Sequence, residues 1–265
     1  MPELISTDSE EMLYTENEQV TLLTCHLYQT SYQRWQGFRN MGLAPRLFKE
    51  TPGLLFSKML GSGGGGGFSV WPHWGRYFSL TVWSHRKFAD EFLDLNSQCK
   101  AMLRLRRHQS TEWSLFLKPF MAHGQWDRRS PFVANQVNKP QPEQAVAILT
   151  RARIKSSKLY RFWRDVPRVS QSMEGVSGCV FAAGVGELPL IQQATISVWE
   201  SEAAMKNFAY SSADHKAVVK RTRQVGWYSE ELFARFKILG SAGMLPTHLK
   251  SLIESPRQER MNLAS

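Results

Sequence analysis

A histidine on the apolar face of a predicted helix is the residue of this chain best placed to hold a metal-containing cofactor. Ser212 is of a type that favours a helix N-terminus. The residues that then recur at helical spacing on one face are His215, Val218, Val219 and Thr222. A neutral imidazole among apolar side chains suits the proximal side of a haem iron. Such a histidine is more often a hydrogen-bonded core residue, so the spacing leaves both roles open.

Other motifs that carry chemistry give weaker signals. The run GSGGGGGF (Gly61–Phe68) lacks the Lys-Ser/Thr of a phosphate-binding loop, so we predict a flexible hairpin or a lid over a cavity. No HExxH or GxSxG motif is present; a Ser-His-acid hydrolase stays open on spacing alone. The three cysteines have no CxxC spacing, which argues against disulfides and a structural zinc site.

Composition and charge exclude some classes of protein. The chain has 265 residues and a formal net charge of +10, although its first 18 residues are acidic. No apolar run is long enough for a membrane-spanning helix, and the N-terminus lacks a secretory signal, so we expect a cytoplasmic protein. The basic residues are dispersed and match no nucleic-acid-binding motif, so nucleic acid is not an expected partner. The charge favours contact with an anionic membrane surface instead.

The elements that must position these residues come from an internal repeat. The segment SLTVW (Ser79–Trp83) matches TISVW (Thr195–Trp199), and the same 116 positions separate Phe92 from Phe208. By this alignment His215 corresponds to Cys99, which is read either as a thiolate ligand or, preferably, as a small buried residue. Each copy predicts the order strand, helix, strand, strand, helix, strand.

This order is typical of a ferredoxin-like unit. We therefore predict an α+β fold in which two tandem ferredoxin-like repeats form an intrachain dimeric α+β barrel, whose uncovered sheet faces enclose an apolar cavity. The predicted segments are a poorly ordered acidic N-terminus (1–18), the first repeat (19–129), a linker (130–143), the second repeat with the candidate histidine (144–243) and a poorly ordered C-terminal tail (244–265).

Several long motifs carry a resemblance to a known family. They lie in both halves of the chain and cover about residues 20–240. They are LGSGGGGGF (Leu60–Phe68), PHWGRYFSLTVW (Pro72–Trp83), GQWDRRSPF (Gly124–Phe132), RFWRDVPRVSQSM (Arg161–Met173), GVGELPLIQQATISVW (Gly184–Trp199) and HKAVVKRTRQVGWYSEELFARFKIL (His215–Leu239). In these segments the chain resembles spheroidene monooxygenases, the acyclic carotenoid 2-ketolases.

The resemblance implies an oxygenase that introduces a keto group at C-2 of acyclic carotenoids by two successive hydroxylations. It implies haem b as cofactor, dioxygen as cosubstrate and reduced ferredoxin as electron donor. His215, the histidine on a matching segment at the proximal helix, becomes the expected iron ligand. We expect an apolar pocket lined by Trp199, Phe208, Val218, Val219 and Trp227. No role is carried onto Cys99 or the run Gly63–Gly67.

The oxygen side of the cofactor is harder to assign. Gln192 and Gln193 follow the GELP turn on a predicted strand, and one of their amides is a candidate to hydrogen-bond bound oxygen. Adjacent strand residues face opposite ways, and the sequence does not say which one faces the cavity. Because a carotenoid is longer than the barrel, we expect peripheral contact with the cytoplasmic membrane face. The alternatives are a carotenoid or haem carrier without turnover, and a non-oxygenating haem enzyme such as a dehydratase.

Overall fold

The computed structural model describes residues 19–64, 71–160, 176–188, 191–211 and 226–254. Within these ranges the chain forms eight strands and five helices. The strands are β1 (Val20–Leu27), β2 (Leu54–Gly63), β3 (Pro72–Trp83), β4 (Thr111–Gly124), β5 (Val146–Ile154), β6 (Cys179–Gly186), β7 (Gln192–Trp199) and β8 (Tyr228–Gly243). The helices are α1 (Ser31–Phe48), α2 (Arg86–Leu93), α3 (Lys100–Arg106), α4 (Glu202–Ser211) and α5 (Thr247–Glu254).

The strands close into one antiparallel barrel in the order β1-β3-β2-β6-β7-β5-β8-β4. The first half reads β4-β1-β3-β2, and the second half repeats this order as β8-β5-β7-β6. A long seam joins the halves from Trp113 opposite Gly243 to Gly124 opposite Leu232. The opposite seam, between β2 and β6, is two residue pairs long. The prediction of tandem ferredoxin-like repeats in one intrachain α+β barrel is confirmed.

The barrel interior is filled by side chains from all eight strands. In its middle, the ring of Phe78 lies 6.1 Å from that of Trp113, and Phe181 completes the aromatic cluster at 5.4 Å from Trp113. Leu60 and Leu115 beside them have no exposed surface. The expectation of an apolar cavity between these faces is therefore wrong, because large side chains from the two half-barrels meet and occupy the space.

Segments outside the repeats close the two ends of the barrel. At one end, Leu249 and Leu252 of α5 join the interior cluster, so the expectation of a poorly ordered tail is wrong for this helix. At the other end, Trp126 is completely buried in a turn where Asp127 and Arg128 have positive φ. The predicted linker adds Phe132 to the interior cluster, and hydrogen bonds between Gln19 and the backbone at 131 and 133 hold it in place.

Helices cover the outer face of the first half. The sequence pattern predicts a helix over Trp35–Phe48, whereas α1 begins at Ser31 because Thr30 and Gln33 form a capping box. The helical layer buries Phe48, Met102 and Leu105 against the sheet. No described helix has the length and apolarity needed to cross a membrane.

The glycine-rich segment between β2 and β3 is described at its two ends. The amide of Gly64 donates to the carbonyl of Trp71 at 2.7 Å, which closes a hairpin. Gly63 ends β2, and residues 65–70 lie outside the described ranges. The sequence pattern also predicts a helix over Lys158–Met173, and most of this segment lies outside the described ranges.

Candidate functional site

The two half-sheets present equivalent outer faces that are filled very differently. Residues paired across neighbouring strands form rows on this face. On the first half, His26 of β1 is paired with Tyr77 of β3 in one row. In the next row, Thr24 of β1, Ser79 of β3 and Met59 of β2 lie side by side. All five side chains are buried. This face is therefore closed by its own large residues and by the helices above it.

On the second half, smaller residues occupy the same rows. Ala152 and Gln193 stand where the first half has His26 and Tyr77, and the next row is Thr150, Thr195 and Gly184. Thr150 is exposed, and Ala152, Gln193 and Thr195 are half-buried. We call these five residues (Thr150, Ala152, Gly184, Gln193 and Thr195) the open face. Among the described residues it is a surface of uncharged and mostly small side chains, where the first half has larger ones.

An aromatic wall bounds the open face on one side. Trp199, two rows along β7, packs its ring 5.4 Å from Phe208 of α4, and its indole donates to Ser197 at 2.9 Å. Met205 completes this small apolar cluster. Trp227 is buried immediately before β8. Its carbonyl accepts a hydrogen bond from the amide of Lys155, the residue that follows β5. Trp199 and Phe208, two of the predicted pocket residues, thus lie on the side of the sheet that carries the open face.

A cation lies at the edge of the same face. Arg235 of β8 occupies the row of Ile148 and donates through Nη1 to Glu202 at 2.9 Å. Its Nε is buried and has no hydrogen-bond partner among the described residues. This side chain therefore keeps a donor for a carboxylate or another acceptor.

The remaining predicted site residues lie in three different places. Gln193 is on the open face, whereas Gln192 shares the barrel-interior side of β7 with Ala194 and Ile196. His215, Val218 and Val219 lie outside the described residues; His215 is four positions beyond the end of α4. Among the described residues, no cluster of three His, Cys, Asp or Glu side chains is arranged to hold a metal ion.

Cys99, the counterpart of His215, is half-buried at the start of α3. Its Sγ lies 3.6 Å from Thr51 Oγ1, and it lines a surface cavity of about 530 Å³ with Trp83 and Phe92. The burial of the neighbouring residues agrees with a packing role for this cysteine. Cys25 is enclosed in the barrel, where burial raises the pKa of its thiol to about 12.

A Ser-His-acid cluster in the first half has the contacts of a hydrolase triad but no access. His26 Nε2 lies 2.9 Å from Ser79 Oγ, and its Nδ1 lies 2.8 Å from Gln109 Oε1, with Glu112 3.9 Å away. Gln109 Oε1 is an acceptor, so Nδ1 donates to it and Nε2 accepts from the serine hydroxyl. Because Ser79 and His26 are almost fully buried, no substrate reaches this serine, and the cluster serves packing.

This buried histidine makes stability depend on pH. Burial lowers the pKa of His26 below its ordinary value of 6.5, and its contacts with Gln109 and Glu112 oppose that only in part. The unfolded chain then binds the extra proton first, so stability falls as the pH drops below about 6.5, by at most about 1.4 kcal/mol per pH unit. We expect urea unfolding of His26→Gln to show a smaller loss between neutral and mildly acidic pH. Equal pH dependence in both proteins would contradict this.

Gln193 is the one residue of the open face that the sequence singles out, whereas Thr150, Ala152, Gly184 and Thr195 have no motif that marks them. Thr195 lies in a repeated segment, where similarity between the two copies hides the difference in side-chain size. The useful signal was Ala152 opposite His26 in the alignment of the two opening strands.

Curated proteins similar to this chain share one name. Spheroidene monooxygenase of Rhodobacter capsulatus is 35% identical over 206 residues, which cover 77% of this chain and 83% of that protein. The protein of the same name from Rubrivivax gelatinosus is 34% identical over 204 residues (77% and 75%), and that from Cereibacter sphaeroides is 35% identical over 193 residues (72% and 58%). No family model matches the chain.

Among solved structures, a crystal structure of aldoxime dehydratase superposes with a TM-score of 0.57 at 12% identity, covering 84% of this chain and 82% of that one. At this identity the likeness concerns the fold alone, and it agrees with the tandem barrel described above. The family follows from the sequence relatives, because the alignments cover most of this chain and most of each relative. The chain belongs to the spheroidene monooxygenase family.

Proposed function

We propose that this protein is a monooxygenase that introduces a keto group at C-2 of acyclic carotenoids of the spheroidene type. The observation that carries the proposal is the 35% identity to spheroidene monooxygenase over most of the chain. Two successive hydroxylations at one carbon give a geminal diol, which loses water to become the ketone. Each hydroxylation consumes one dioxygen and two electrons, and reduced ferredoxin is the proposed donor.

The open face is the proposed binding site of haem b. Its small uncharged residues leave room for a flat apolar group, whereas His26, Tyr77 and Met59 fill the same rows in the first half. Trp199 and Phe208 offer an apolar wall, and the free Nε of Arg235 offers a donor to a carboxylate. These described residues fit the group. When bound, haem supplies the activation of dioxygen.

The chain's own residues have separate proposed tasks. His215, four positions beyond α4, would hold the iron, with Val218 and Val219 among the apolar neighbours. Gln193 is the proposed oxygen-side amide, because it lies on the open face and Gln192 does not. The aromatic wall would exclude water and orient one end of the polyene, and the rest of the substrate would stay in the membrane or in a groove of the protein.

A hemin titration followed by absorbance tests the cofactor and its ligand together. We expect wild type to give a saturable, near-stoichiometric Soret band, and His215→Ala to lose the histidine-ligated spectrum and bind hemin at least about tenfold more weakly. His248→Ala, on the exposed side of α5, is the matched control and should titrate like wild type. No specific uptake by wild type would overturn haem as the cofactor.

Turnover then distinguishes an oxygenase from a carrier. Spheroidene is supplied with reduced ferredoxin and isotopically labelled dioxygen, and the product is analysed by mass spectrometry. Incorporation of label as a ketone supports the proposal, provided that the product is recovered rapidly because ketones exchange their oxygen with water. A polyene returned unchanged by haem-loaded protein would identify a carotenoid or haem carrier instead.

A further inference from the structure

Five large aromatic side chains of the first half are exposed, and three of them, Trp35, Phe38 and Trp74, contact one another. The five are Tyr32, Trp35, Phe38, Trp71 and Trp74, and we call them the aromatic patch. Their exposed fractions run from 46% at Phe38 to 81% at Trp71. Single exposed apolar residues are common on protein surfaces, but clustered ones mark an interaction site.

Two elements of the fold build the patch. Tyr32, Trp35 and Phe38 follow one another at a spacing of three residues in α1, while Trp71 immediately precedes β3 and Trp74 lies near its start. The strand is fixed beside the helix because the amide of Tyr28 donates to the carbonyl of Gly75 at 2.8 Å. The Trp35 and Phe38 rings stack at 5.8 Å, and Trp74 meets Phe38 edge-on at 5.6 Å. The patch is therefore a preformed surface.

The anchoring of α1 determines which side chains point outward. Asn40, Ala44 and Phe48 bury one side of the helix, and a Cβ on Gly37 would lie 2.8 Å from the rings of Tyr28 and Tyr77. The helix therefore sits tightly on the sheet and cannot turn its aromatic side inward.

The helix that carries three residues of the patch has charge of one sign. Helix α1 contains Arg34, Arg39 and Arg46, all exposed, and it has no acidic residue between Ser31 and Phe48. Aromatic rings of Trp and Tyr favour the membrane–water interface, and exposed arginines add attraction to anionic headgroups. The aromatic side chains of the patch point outward from α1 and from the beginning of the neighbouring strand. They can therefore insert among lipid headgroups.

We propose that the aromatic patch, with the arginines of α1, docks the protein on an anionic lipid bilayer. The inference rests on the proposed function for the reason to bind a membrane, namely a substrate dissolved in it. The evidence for the contact is the exposed aromatic patch and the positive charge of α1. It assigns the membrane to the face of α1 and leaves the open face on the other half of the barrel free for the cofactor.

Vesicle sedimentation tests the proposal without turnover. Wild type should bind vesicles of phosphatidylcholine mixed with phosphatidylglycerol, with a blue shift of tryptophan emission, and bind pure phosphatidylcholine more weakly. Trp35→Gln/Phe38→Gln/Trp74→Gln should weaken the binding at least about tenfold. Leu95→Gln/Val137→Gln, which changes residues 87% and 84% exposed outside the patch, is the matched control and should bind like wild type.

Charge and self-association provide two further arms. Arg34→Gln/Arg39→Gln should remove the preference for anionic vesicles, and added salt should have the same effect on wild type. Equal binding by wild type and the triple aromatic variant would overturn the proposal. The proposal would also be overturned if wild type did not bind vesicles and instead formed dimers, or bound only ferredoxin, through these residues.

The failure of this inference can be separated from that of the proposed function. With spheroidene in detergent micelles, the triple aromatic variant should turn over at the wild-type rate, because the patch is not part of the open face. Loss of vesicle binding with normal micellar turnover supports docking. Vesicle binding by a protein that never oxidises carotenoid leaves docking standing and overturns the oxygenase.

Discussion

Thr150→Trp is expected to reduce carotenoid oxygenation by about a hundredfold or more, because an indole at this position would occupy the open face. Thr150 is exposed and sits between Thr195 of β7 and Phe233 of β8, so the large side chain would project over the floor of the proposed site. Because no buried group is displaced, the free energy of unfolding should change by less than about 0.5 kcal/mol.

The matched control is Gln98→Trp, which adds the same ring at an exposed neutral position on the first half. It should retain wild-type turnover. Hemin titration of the two variants separates the cause: Thr150→Trp should also take up less haem, and Gln98→Trp should not. Full activity of Thr150→Trp with normal haem uptake would show that the reaction takes place elsewhere in the molecule.

Glu230→Ala is expected to destabilise the protein by about 3 kcal/mol, because it leaves a buried arginine poorly compensated. The side chain of Arg151 is 1% exposed inside the barrel and pairs with Glu230, while Asp127 Oδ1 is 3.6 Å from its Nη2. The Glu230 carboxylate also accepts from the amides of Asp127 and Arg128 at 3.0 and 2.8 Å. The Glu230 carboxylate therefore both neutralises the buried charge of Arg151 and fixes the turn that follows Trp126.

The pH dependence of this contact has a defined sign. Burial alone would raise the pKa of Glu230, but the hydrogen bonds from Arg128, Arg151 and Asp127 lower it overall from its ordinary value of 4.5. The stability that this group contributes is complete above about pH 4.5 and is lost as the pH falls through the lower folded-state value. Glu230→Ala should therefore lose less stability than wild type on acidification below this pH.

Thermal unfolding checks the magnitude. A loss of about 3 kcal/mol corresponds to a melting temperature lower by roughly 6 to 12 °C in a chain of this size. The double variant Arg151→Met/Glu230→Leu removes both charges and should recover most of the loss. If Glu230→Ala melted at the wild-type temperature, the pair would be unimportant for stability. If the double variant were as unstable as the single one, packing rather than charge would be the cause.

The elements and their pairing within each half could be predicted from local patterns. Apolar, β-prone runs over Val20–Tyr28 and Ala145–Ile154 predict β1 and β5, and the common spacing of SLTVW and TISVW indicates two copies of one unit. A ferredoxin-like unit has one strand order that buries its helices on one face, so the repeat implied the barrel as well. The long motifs in both halves then carried the family resemblance, which the relatives confirm.

The candidate site was only partly accessible to the same reasoning. Trp199 and Phe208 were expected to line a pocket and do come together, and Gln193 lies on the open face. The choice between Gln193 and Gln192 needed the register of β7, since a shift by one residue exchanges the two faces of a strand. The roles of His215 and its neighbours stay predictions.

What the sequence alone determined was therefore the type, order and duplication of the elements, because these depend on residues close together in the chain. Only the tertiary structure decided where space exists. The interior is full because Phe78, Trp113 and Phe181, from distant strands, converge there, and Trp126 closes one end through a turn of positive φ. The open face exists because Ala152 and its neighbours lie across three strands. Free volume is a sum over residues that meet only when the barrel closes, so no local pattern predicts it.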